Sequence, residues 1–150
     1  MTKAPQKSSS ANARALLLPY TLGLVVAMAV VQVVIAATGG EVTILAGGLT
    51  ALVAIGIAVW LWRTLRVLMR VRFGVAIAHV IAFVIVTASF NLHAIVRVMA
   101  IGFEVDGAGD TVRNLLESSW FGATIVMSGL WGLGLLIHLI GTVIGHGWED

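Results

Sequence analysis

Three histidines lie where ionisable groups are rare. His79, His93 and His138 fall within long apolar runs, with few other charges nearby. An imidazole at membrane depth has no water to satisfy it. It must find a partner, and such residues mark functional sites by default. The chemistry open to it is an interhelical hydrogen bond, ligation of haem iron, contact with another tetrapyrrole or a quinone, or proton relay.

Counting along the chain sharpens this. With Arg97 and Trp120 as the outer ends of two consecutive spans, His79 lies 18 residues before the first and His138 18 residues after the second. At 1.5 Å per residue both sit about 27 Å from those ends, on one level near the cytoplasmic side. His79, Val86, Phe90, His93 and Arg97 form one stripe on the third span. His93 is 14 residues from His79, a rise of about 21 Å with about −40° of rotation. On the fourth span Met127, Trp131, Gly134, His138, Gly141 and Gly145 follow helical spacing. Glycine there lets a second backbone, or a flat macrocycle, come close.

Three readings stay open. In the first, His79 and His138 hydrogen-bond to each other and fix the register of two helices, with Gly134, Gly141 and Gly145 serving helix packing. In the second they are the axial ligands of a haem b. His93 then lacks a histidine opposite; its depth partner is Thr124, with Met127 one turn away. In the third the site takes another tetrapyrrole or a quinone, or relays protons. Zinc has no third ligand at that level.

The elements that position these residues are plain from composition. The chain is 59% hydrophobic and only 11% charged, with a mean hydropathy of +1.04. Soluble domains carry about 25% charged residues. An all-α, polytopic membrane protein is expected, with four transmembrane helices in an antiparallel bundle. The spans are 15–37, 42–62, 73–97 and 120–145. Residues 1–14 form a disordered polar tail, 15–72 a helix pair with a basic connection, and 73–150 a histidine-bearing hairpin. Pro19 falls near the start of the first span, where a missing N–H is tolerated. That span is longer than a signal-peptide core and reads as an uncleaved anchor. Residues 98–119 read as an acidic loop, in which Asp110 can N-cap a short helix through Leu116.

Charge sets the orientation. Lys3, Lys7 and Arg14 precede the first span, and Arg63, Arg66, Arg70 and Arg72 join the second to the third. Seven of the nine basic residues thus share one side. The positive-inside rule puts both termini in the cytoplasm of a bacterial inner membrane. The net charge of +2 therefore reports topology and not a nucleic-acid partner. The four arginines can also meet anionic lipid head groups. The chain has no cysteine, which excludes disulfides and thiolate chemistry. No nucleophile–base pair, phosphate loop or carboxylate pair lies inside the spans, which argues against an enzyme. The Glu104–Asp110 segment does not keep EF-hand spacing. Gln32, alone among apolar residues, is expected to bond to a neighbouring helix.

Two motifs carry a family resemblance. Phe73 and His79-x-x-x-Phe83 open the third span, and Trp131-Gly132-x-Gly134-Leu135-x-x-His138 lies in the fourth. On these residues 73–145 resemble the bacterial two-transmembrane (2TM) domain family, and both histidines fall on the family's positions. The resemblance implies a small membrane module, alone or attached to sensors such as histidine kinases. The longer acidic loop and the extra N-terminal helix pair depart from it. The expected function is a small non-enzymatic accessory, assembly or sensor-like module. Its partners would be the lipid bilayer and other membrane subunits, or a second copy. The rival is a b-type haem electron carrier built on His79 and His138.

Overall fold

A computed structural model describes residues 13–71, 73–102, 113 and 117–146. The helices are α1 (Ala13–Ala37), α2 (Ile44–Leu68), α3 (Gly74–Gly102) and α4. The last opens as Ser119–Phe121, passes through a π-helical turn at Gly122–Val126 and continues as Met127–His146. No strand occurs among the described residues. All four helices are long and apolar enough to cross a membrane, and in hydrocarbon a helix satisfies its own backbone. The protein is an all-helical, multi-pass membrane protein.

The chain runs up and down, as contacts at the two ends show. At one end Tyr20 near the start of α1 stacks on Trp60 near the end of α2, with centroids 3.9 Å apart. Its hydroxyl donates to the Ala78 carbonyl near the start of α3 at 3.3 Å. Tyr20, Leu24, Leu68, Ala78 and Ala82 form the core of that layer. At the other end Met28, Val31, Ile35, Ala46, Val86, Phe90, Ala94 and Trp120 form a second. Helix α3 is central and packs on the other three, and α1 packs on α3 as well as on α2. Packing therefore crosses the sequence division at 72/73.

Several boundaries differ from expectation. Helix α1 starts at Ala13, so Arg14 is helical and Pro19 sits in the second turn. Bilayer helices tolerate such a proline because neighbouring groups re-satisfy the freed carbonyl. The basic connection is not one continuous helix: α2 carries Arg63 and Arg66 to Leu68, and the chain then turns. The turn is tight at its exit. A Cβ on Gly74 would lie 2.5 Å from the Leu68 carbonyl oxygen, and Phe73 is left-handed at φ 59°. Residues 98–102 extend α3 and do not belong to the loop. Arg113 and Glu117 form an exposed ion pair at 3.5 Å. The tail up to residue 12, Arg72, the Glu104–Asp110 segment and the Asp110 cap lie outside the described residues.

Candidate functional site

Two polar layers cross the bundle. The inner one is the histidine pair. His79 on α3 and His138 on α4 meet with ring centroids 4.9 Å apart and planes tilted by 50°. The depth count therefore brings the right residues together. The expected hydrogen bond between them is absent among the described residues. His79 Nδ1 lies 2.8 Å from the Val75 carbonyl oxygen one turn back. A carbonyl only accepts, so Nδ1 carries a proton.

The motif residues around the pair spell helix packing. Phe83 meets Trp131 edge-on at 5.7 Å, and a Cβ on Gly132 would meet the Phe83 ring at 3.3 Å. The close-approach glycine is thus Gly132. At Gly134, Gly141 and Gly145 a Cβ would meet nothing within 4 Å, and all three are exposed, as is His138. Among the described residues no other helix approaches those three glycines. Helical spacing defines a face but not the direction it points.

The fit of a haem can be tested on the pair. Axial imidazoles lie on opposite sides of a flat macrocycle, and metal–nitrogen bonds of about 2 Å in line put their centroids about 6 Å apart. Rings touching at 4.9 Å leave no gap for a macrocycle. The neighbouring α3–α4 cleft, about 310 Å³, is lined by neither histidine. The residues do not fit haem b in this arrangement. Among the described residues no cluster of three metal-ligating side chains occurs either.

The chain matches no family model, no curated protein and no solved structure. The site is therefore read from its own chemistry.

The outer layer was only partly visible in the sequence. His93 pairs neither with Thr124 nor with Met127. Thr124 spends its hydroxyl on the Trp120 carbonyl at 2.7 Å. His93 Nδ1 lies 2.8 Å from Gln32 Oε1 on α1, and its ring lies against Trp120 at 4.8 Å. Gln32 Nε2 donates to Ser89 Oγ at 3.2 Å, and Ser89 Oγ donates to the Val86 carbonyl at 2.8 Å. The chain has one direction. Ser89 has spent its only proton, so it must accept from the Gln32 amide. The Gln32 oxygen then faces His93, which must carry its proton on Nδ1. His93 Nε2 is left as an acceptor.

Above His93 the α1–α2 turn is clamped. Gly40, at φ +74°, adopts a left-handed conformation suited to glycine. Its carbonyl accepts from Arg97 Nη1 and from Trp120 Nε1 at 2.9 Å. Arg97 also pairs with Glu41, and Ser119 Oγ donates to the second Glu41 oxygen at 3.1 Å. Sequence reading took Arg97 as an end marker and a member of the His79 stripe, with no partner named. The available signal was a lone acid, Glu41, in the turn at the same end as Arg97. At the basic end Arg63, Arg66 and Arg70 are exposed.

Proposed function

We propose that the protein is a non-enzymatic membrane module that assembles with other membrane subunits, or with itself, through the outward face of α4. One observation carries this reading. His138 is exposed on a face with three glycines that pack on nothing among the described residues. Ionisable groups in spans almost always face protein or a water-filled cavity and not acyl chains. Glycines allow a helix backbone to approach closely, which favours association where no hydrophobic force acts. The contact patch of His79, Phe83, Trp131, Gly132 and His138 supports treating 73–145 as a hairpin of the 2TM kind.

The orientation belongs to the same proposal. The exposed Arg63, Arg66 and Arg70, with Arg72, favour the cytoplasmic side of a bacterial inner membrane, near anionic head groups. The other end, with Glu41, would face outward. Because the chain lacks cysteine, single-cysteine variants at Arg66 and Ser119 report the sidedness directly with an impermeant thiol reagent.

The association test is a pair of variants, Gly134→Leu and Gly141→Leu. Both positions have open space within the chain, so folding is unaffected while a close helix contact is blocked. Native gels of gently solubilised membranes should show the wild type above monomer mass and both variants shifted down. Wild type running as a monomer in native gels and after cross-linking in intact membranes would overturn the proposal.

A further inference from the structure

A groove between α1 and α3 opens along the bundle with a volume of about 640 Å³. It is lined from Val84 to Val96 on α3, a rise of about 18 Å along the helix. Its walls are aliphatic except where Gln32, Ser89 and His93 face it. These three are the hydrogen-bonded chain described above. The groove is thus an amphiphile's negative: one polar station near the outer end, and an apolar channel running inward from it.

The proton bookkeeping narrows the occupant. His93 Nε2 is an acceptor, and no donor of the described residues reaches it. An acceptor left unmet in hydrocarbon is costly, so the complementary head brings an O–H. His93 lies one turn below Arg97, inside the span. Phospholipid ester and phosphodiester oxygens only accept, and the ammonium and glycerol donors of phospholipid head groups lie beyond the phosphate, out in the aqueous interface. A hydroquinone on an isoprenoid tail brings a hydroxyl donor on a flat ring, and its tail matches the apolar channel. We infer that the α1–α3 groove binds a membrane quinol, with the head-group hydroxyl donating to His93 Nε2 and the tail lying between Val25 and Val84. The inference concerns binding alone and does not depend on the α4 association.

It makes a sharp distinction. Oxidation of the head removes both hydroxyl protons, so the quinone faces the Nε2 lone pair with another lone pair. The full chain, purified in detergent, is titrated anaerobically by calorimetry with a decyl-substituted benzoquinol held reduced, and separately with the matching quinone. Saturable quinol binding about tenfold or more tighter than quinone binding is expected, the size of one lost hydrogen bond. His93→Leu should abolish that preference. Ala88→Trp provides a second arm, because Ala88 is an exposed groove residue outside the hydrogen-bonded chain. It should block both ligands while circular dichroism stays that of the wild type. Equal affinity for the two forms, non-saturable partitioning alone, or quinol binding unchanged in folded Ala88→Trp would overturn the inference.

Discussion

Truncating Trp120 should loosen the whole outer end of the bundle. Its side chain is fully buried, at 0% exposure. It lies against His93 at 4.8 Å and against Phe90 at 6.4 Å, and it donates to the Gly40 carbonyl. Trp120→Phe keeps a ring and removes one hydrogen bond. Gly40 still accepts from Arg97, so no group is orphaned, and the cost is about 1 kcal/mol. Trp120→Ala also empties the site. Burial of a large aromatic is worth about 3–5 kcal/mol in soluble cores. Part of that is transfer from water, which is smaller beside a bilayer, so about 3 kcal/mol is expected. Reversible unfolding in mixed micelles by added SDS, followed by far-ultraviolet circular dichroism, measures both. Trp120→Ala should fall about 2 kcal/mol below Trp120→Phe. If the alanine variant unfolds within 1 kcal/mol of wild type, Trp120 is not the keystone of this layer.

Three further expectations use simple variants. Gly132→Leu should destabilise by about 1–3 kcal/mol through overpacking against Phe83. In a monodisperse detergent preparation Gly141→Leu should not, and the same SDS titration compares them. A double-mutant cycle on Gln32→Ala and His93→Ala should give a coupling of about 0.6 kcal/mol, typical of interhelical hydrogen bonds in membranes; zero coupling would contradict the directed chain. The purified protein, incubated with haem and reduced with dithionite, should show no Soret band of its own. A band lost in His138→Ala would reinstate the axial-ligand reading.

Hydropathy made the four spans legible because the bilayer demands long apolar helices. Depth counting then placed His79 beside His138, since consecutive spans run antiparallel. It worked for that pair because nothing but rise per residue was needed. The same counting missed the partner of His93. It searched α4, the sequence neighbour, whereas Gln32 stands 61 residues away on α1. Apolar surfaces of helices in lipid do not specify which helix lies next to which, so the α1–α3 contact has no hydropathy signature. Gln32 was recognised as needing a partner, but its identity required the fold. The π-helical turn at Gly122–Val126 also lacks a sequence mark. So does the outward direction of the Gly134, Gly141 and Gly145 face.

The polar residues of α3 explain how such ambiguity is resolved in the folded chain. His79 meets α4, and Asn91 donates to Ser128 on α4 at 3.4 Å. Ser89 and His93 bond to Gln32 on α1. Arg97 takes the α1–α2 turn. Each hydrogen-bonded pairing would lose a partner if a helix rotated or slid by one residue, and that penalty discriminates where dispersion does not. Helix α2 works differently. Thr50 and Thr64 bond back to their own helix, and no interhelical hydrogen bond from α2 occurs among the described residues. It is held by the clamped turn at one end and the Tyr20–Trp60 stack at the other. Register is therefore specified from α3 outward. His79 and His138 meet by ring contact alone, so of the three histidines only His93 is held to a neighbouring helix by a hydrogen bond.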